Sequence, residues 1–263
     1  MFEAVATAPK VSRSEFDARE TELHAALLDV QRKVRESDFS VLILVSGVEG
    51  AGKGEVVQAL HRWFDPRGLE THAFWDESDE ERLRPRFRRF WRALPPRGRI
   101  GVLFGSWYTE PVVKRALKST GSKAFDRELE RIRHFEDTLV DDGTLIIKLW
   151  FHLPRRDQEK RLTEDDKSIK KRKKSFVRHP SPLARRYSKH YDRFLKISQR
   201  AVRRTDVARS PWHLVAASNR AHRDLSAGQI VLDRIRRRLE QQQPSSGRVH
   251  WYRRDEPTGI PGP

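Results

Sequence analysis

One stretch constrains this chain more than any other: Val41-Leu-Ile-Leu-Val-Ser-Gly47-Val-Glu-Gly-Ala-Gly52-Lys53-Gly54. Aliphatic and β-branched residues run without a polar break into a glycine-rich turn, the pattern of a strand buried on both faces that feeds a helix. The spacing G-x-x-x-x-G-K matches a Walker A loop through the lysine. In such a loop glycines let backbone N–H groups converge on phosphate oxygens, the helix N-terminus adds a partial positive charge, and Lys53 adds a full one. Four glycines (Gly47, Gly50, Gly52 and Gly54) within eight residues would cost stability in an ordinary turn. These glycines and Lys53 are therefore the candidate phosphate-binding set. Gly54 stands where Ser or Thr normally holds Mg²⁺, so the metal must be held by carboxylates. Glu49 is the first candidate, because an acid inside a phosphate cradle repels its own ligand unless a divalent ion lies between them.

At 263 residues the chain suffices for one large α/β domain. No apolar run reaches the roughly 20 residues that span a bilayer. The opening MFEAVATAPK lacks the basic and apolar regions of a secretory signal. With no cysteines there is no disulfide framework and no thiolate metal site, and a cytoplasmic location is expected. Lys and Arg number 54 against 37 Asp and Glu, a net charge of +17. A surplus of that size calls for a polyanion: nucleic acid, an acidic membrane or a polymeric phosphate.

Periodicity predicts an amphipathic helix from Ser12 to about Ser37, with a Ser12/Glu15 capping box. Strands follow at about Val41–Ser46, Glu70–Phe74, Arg99–Phe104, Thr144–His152 and Trp212–Ala217. Between them lie a helix after the loop that ends at Pro66, an arginine-rich helix opened by the acidic run Asp76–Glu81, and a helix over Ser122–Asp141. Strands alternating with helices predict a parallel sheet covered on both faces. The expected divisions are an N-terminal helical extension over 1–38, a kinase-like domain over 39–240, and a flexible tail over 241–263. A helix–loop–helix insertion at about 155–203 carries the most basic segment, with seven cations from Lys167 to Arg178. Trp107 and Tyr108 read as core or pocket wall, and His72, His134, His152 and His213 as structural histidines.

Taken together, these segments resemble the polyphosphate kinase type 2 family, and within it the amino-terminal half of the tandem-domain polyphosphate:AMP phosphotransferases. The loop Gly47–Gly54 looks like that family's G-x-D-x-x-G-K-G, including the glycine after the lysine. Ala93-Leu-Pro-Pro96 followed by Ile100–Tyr108 looks like its L-P, hydrophobic strand and D-R-S-W-Y. Lys148-Leu-Trp-Phe151, Arg204-Thr-Asp206 and Ser210-Pro-Trp212 look like its K-x-W-F, R-T-D and S-P-W landmarks. The resemblance implies a P-loop nucleotide-kinase-like three-layer α/β fold with a five-stranded parallel sheet and a basic helical lid. It also implies phosphoryl transfer between inorganic polyphosphate and AMP or ADP, with Mg²⁺. By position, Lys53 and Glu49 would be catalytic, with Glu49 also a metal ligand. Lys170, Lys171, Arg172, Lys173 and Lys174 would hold the polymer.

The chain departs from the family pattern at one corner. Phe104-Gly105-Ser106 replaces F-D-R-S, so the acid at the end of the third strand and the arginine after it are both missing. Thr109-Glu110 stands for the expected Asn-Arg, and either Glu110 or the acidic run Asp76–Glu81 is a candidate replacement ligand. A catalytically silent subunit that binds polyphosphate or nucleotide, as a homo-oligomer or paired with an active homologue, is the alternative reading. A nucleic-acid-binding ATPase is disfavoured, because only Phe176 and Tyr187 are available near the basic run to stack on bases. No membrane partner is expected.

Overall fold

A computed structural model describes residues 1–161, 163 and 189–241. Five strands form one all-parallel sheet: β1 (Val41–Gly47), β2 (Leu69–Ala73), β3 (Ile100–Phe104), β4 (Leu145–His152) and β5 (Trp212–Ala216). The strand order is β2-β3-β1-β4-β5, which puts β1 at the centre, hydrogen-bonded to β3 on one side and β4 on the other. All five coincide with the strands expected from the sequence to within a residue at each end. The reason is visible in β1 and β4, whose residues 41–45 and 145–152 are buried throughout. A strand covered on both faces must be apolar without alternation.

Helices cover both faces. On one side α1 (Arg13–Arg35), α2 (Lys53–Trp63) and the last helix, α8 (Arg220–Gln241), pack Leu27, Val30, Leu60, Trp63, Val231 and Ile235 against Ile43, Val45 and Ile147. The other face carries two short helices, α3 (Asp79–Arg82) and α4 (Arg88–Trp91), then α5 (Thr109–Ala116), α6 (Ser122–Asp141) and α7 (Tyr191–Thr205). Phe90, Phe125, Ile132, Phe135 and Val202 there meet Leu42, Leu44 and Ile146. The N-terminal stretch joins this architecture directly. Phe2 is buried, stacked on Trp150 at 5.2 Å between ring centroids, and α1 lies in the core layer beside α8. The far end of the basic insertion does likewise: Ile197, Ala201 and Val202 of α7 are buried.

Two local expectations change. The arginine-rich segment is split into α3 and α4 instead of forming one helix, because Pro85 forbids a continuous helical backbone through Arg84. The Ser12 box is half made: its hydroxyl accepts from the Glu15 amide. A complete capping box instead opens α3, where Ser78 and Glu81 satisfy each other's amides.

The second face closes around a buried ion pair. Lys148 on β4 and Glu136 on α6 are 0% and 1% exposed and 2.7 Å apart. Each Glu136 oxygen has two donors: Oε1 accepts from Trp107 Nε1 at 3.0 Å and Tyr108 Oη at 2.7 Å, Oε2 from Lys148 and from the Ser210 hydroxyl at 3.3 Å. Lys148 also donates to the Thr205 carbonyl at 2.7 Å. Burial pulls the Lys148 ammonium below its ordinary pKa while Glu136 pulls it back up, and burial with Glu136 nearby pushes Tyr108 well above its own. The carboxylate's acceptor capacity is fully used, the condition under which a buried charge is tolerated. Replacing one partner leaves the other charged and unpaired. Lys148→Met is therefore expected to lower the unfolding free energy by about 3–5 kcal/mol. Lys148→Met combined with Glu136→Gln should cost less than the two single changes summed. Urea unfolding followed by tryptophan fluorescence measures both.

Candidate functional site

The loop between β1 and α2 sits at the carboxyl edge of the sheet, where ligands bind in open parallel sheets. Gly47 is the last residue of β1, in register with Phe151 of β4. Gly50 and Gly52 take left-handed backbone (φ +80° and +79°), and Gly52 caps α2, whose first two residues are Lys53 and Gly54. At Gly52 a side chain is excluded twice over: by φ, and because a Cβ would overlap the Arg223 guanidinium.

The loop's carbonyls are held from outside, one after another. Lys53 Nζ donates to the Gly47 and Val48 carbonyls at 3.3 and 3.0 Å and to Glu49 Oε2 at 3.2 Å. Gln158 Nε2 donates to the Glu49 carbonyl at 2.9 Å, Arg161 to that of Gly50 at 2.9 Å, and Arg223 to that of Ala51 at 3.3 Å. Arg161 also donates to the Ala217 and Ser218 carbonyls, so one guanidinium bridges the loop to the chain just beyond β5. Turning the carbonyls outward leaves the amides of Gly50, Gly52 and Lys53 without a protein acceptor among the described residues. Convergent unpaired amides at the start of a helix, next to a lysine, make an anion cradle.

Arg223, on the first turn of α8, is fully buried. It pairs with Glu55 on α2 at 2.7 Å and with its neighbour Asp224 at 2.8 Å. Burial works against the Glu55 carboxylate, yet Arg223 beside it holds it below its usual range. Asp224 goes the other way, raised by burial against the pull of the same arginine. The sequence carries no signal that places Gln158, Arg161 and Arg223 at the site: nothing in an isolated arginine marks it as a ligand for a main-chain carbonyl far away in sequence.

The candidate acids are differently placed. Glu49 lies in the loop, a third exposed, facing Lys53. Glu110 opens α5 and faces Lys114 and, at 3.9 Å, Arg86. The structure therefore brings Glu49 and Lys53 together, whereas Glu110 is held by two cations of its own. Among the described residues no three His, Asp or Glu side chains form a group that could hold a metal ion. Mg²⁺ is commonly bound by one or two carboxylates plus substrate phosphates, and Glu49 fits as one such ligand. Lys170, Lys171, Arg172, Lys173 and Lys174 lie outside the described residues.

Gly105 follows β3, one strand from the loop, and strand spacing is about 4.8 Å. Its φ is +85°, and a Cβ there would lie 2.5 Å from the Phe74 carbonyl oxygen. The corner is thus shaped for glycine as well as lacking an acid.

A family profile described as polyphosphate kinase 2 (PPK2) matches residues 10–243. The chain belongs to the polyphosphate kinase 2 family. It is 35% identical to a polyphosphate:AMP phosphotransferase of Pseudomonas aeruginosa, over 95% of this chain and 50% of that protein. A crystal structure from Pseudomonas aeruginosa assigned to polyphosphate kinase 2 superposes with a TM-score of 0.80 at 35% identity, covering 91% of this chain and 48% of that one. The Arthrobacter aurescens polyphosphate kinase 2 shares the fold, with a TM-score of 0.79 at 22% identity over 89% and 88% of the two chains. The chain spans about half the length of the Pseudomonas aeruginosa relative. No helix among the described residues is long and apolar enough to cross a membrane.

Two substitutions test this geometry. Arg223→Met removes the guanidinium behind the loop and strands Asp224. It is expected to lower stability by about 1–3 kcal/mol and to speed hydrogen exchange at the Gly50–Lys53 amides more than at β1. Gly105→Asp, which places an acid at the end of β3, is expected to destabilise by about 1–3 kcal/mol; thermal unfolding reads the loss.

Proposed function

We propose that this chain is a polyphosphate-dependent nucleotide phosphotransferase that moves a terminal phosphoryl group between inorganic polyphosphate and AMP or ADP. The observation that carries the reading is the loop itself: its carbonyls are tied back by Lys53, Gln158, Arg161 and Arg223, and its amides face the place where phosphate would lie. Family membership supports it, as does the relative named for transfer to AMP.

Phosphoryl transfer asks a protein mainly for position and charge compensation. The amides of Gly50–Gly54 would bind the phosphate oxygens. Lys53 would leave the loop carbonyls and neutralise charge on the transferring group. Glu49, freed from Lys53, would hold a divalent cation together with those oxygens; the cation, which we take to be Mg²⁺, would screen charge between donor and acceptor. The cations Lys170–Lys174 would follow the polymer. We place the reaction in the cytoplasm.

One observation favours a second reading. Gly105 leaves the end of β3 without a carboxylate, and losing a charge-positioning group of that kind costs orders of magnitude in rate. A subunit that binds polyphosphate without turning it over would tolerate the loss.

Incubation with AMP, polyphosphate and Mg²⁺ separates the two. Formation of ADP that falls at least a hundredfold in Lys53→Ala supports the transferase. Polyphosphate binding with no ADP formed from AMP and no ATP formed when ADP replaces it, at any metal concentration, would favour the silent subunit.

A further inference from the structure

The arginines that follow the acidic run line a cavity of about 210 Å³ on the α3–α7 face of the sheet, beside the edge strand β2. Arg84, Arg86, Arg88, Arg89 and Arg92 all face it, with Glu80 and Glu81 as the carboxylates on its wall. No residue of the β1–α2 loop contributes, and β2 lies two strands from β1, about 10 Å away.

The charges do not balance. Glu80 is shared between Arg84 at 3.2 Å and Arg88 at 3.3 Å, and Glu81 takes Arg89 at 3.2 Å. Arg92 makes no ion pair among the described residues, and Arg86 is drawn to Glu128 and Glu110 outside the wall. Four guanidinium groups, those of Arg84, Arg88, Arg89 and Arg92, thus have only Glu80 and Glu81 to balance them inside one concavity. There the field of like charges is focused and an anion is attracted more strongly than on an open surface.

The cluster is also held in shape. Arg89 is only 11% exposed; its guanidinium lies over the rings of Phe74 at 5.0 Å and Phe90 at 5.7 Å and donates to the Trp75 carbonyl. Arg86 lies over Phe87 and donates to the Trp107 carbonyl at 3.2 Å. Burial lowers the Arg86 pKa while Glu110 pulls it back up. Planar guanidinium groups fixed in this way match the paired oxygens of a phosphate. The volume falls below the roughly 300–1,000 Å³ of pockets that enclose drug-sized ligands, a size that suits a phosphate group.

We propose that this arginine pocket is a second phosphate-binding site, separate from the loop, that takes a short phosphate chain or the phosphate end of a nucleotide. The choice between those sources rests on the function proposed above; the site itself does not.

The test uses the full chain carrying Lys53→Ala, so that the loop is weakened, and tripolyphosphate as the titrant in calorimetry. Arg84→Gln, Arg88→Gln and Arg92→Gln are added together, because Arg84 and Arg92 are exposed and Arg88 is 40% exposed. Removal of Arg97, Arg127 and Arg209 charges by the same change, elsewhere on the surface, is the control. The pocket variant should bind at least tenfold more weakly than the control variant, with both unfolding at the same temperature as the parent. Equal weakening in both, or none in either, would overturn the proposal. The same titrations with AMP identify the source: a loss confined to tripolyphosphate marks the inorganic chain, and a loss extending to AMP marks the nucleotide phosphate. Either pattern supports the site whether or not the protein makes ADP.

Discussion

A single buried carboxylate organises one whole face of this protein. Glu136 draws together the turn after β3, through Trp107 and Tyr108, the strand β4, through Lys148, and the approach to β5, through Ser210. Lys148 passes the connection on to the end of α7 at Thr205. The cost of burying both charges is offset only while every donor is in place, so these segments are bound to one arrangement. The turn after β3 is thereby held one strand from the β1–α2 loop, and Gly105 stands at its start.

That hub also explains what the family landmarks are. Trp107-Tyr108, Lys148, Ser210 and Trp212 carry much of the resemblance to polyphosphate kinase 2, and in the structure they converge on Glu136 and Thr205, away from the loop. They report a shared way of building the core. The proposed chemistry would depend on different residues, Lys53, Glu49 and the glycines of the loop, and the end of β3 beside them carries Gly105 in place of an acid. Membership of the family and retention of its activity are therefore separate questions for this chain, each with its own residues.

The strands and the long helix α6 are legible in the sequence because burial on a sheet face or along a helical stripe demands a composition that nothing else requires. The loop is legible for a similar reason, since few other structures need that density of glycine before a lysine. The supports behind the loop are not. Arg223 reaches the Ala51 carbonyl across 172 positions, and a guanidinium bonded to main chain looks, in sequence, like one more surface charge among 54 basic residues. The division of the arginine-rich segment at Pro85 was open to inspection, but the acid-to-base gradient along it imitates a continuous helix.

Lys53 occupies all three of its donors within its own loop, on two carbonyls and one carboxylate. Any anion entering the cradle must compete with those oxygens for the ammonium group. A singly charged or diffuse anion would offer little more than the loop already supplies, whereas clustered polyanion oxygens would offer more. The lysine would thus act as an internal competitor, setting a threshold of charge density that a ligand would have to exceed before the loop exchanged its own contacts for it.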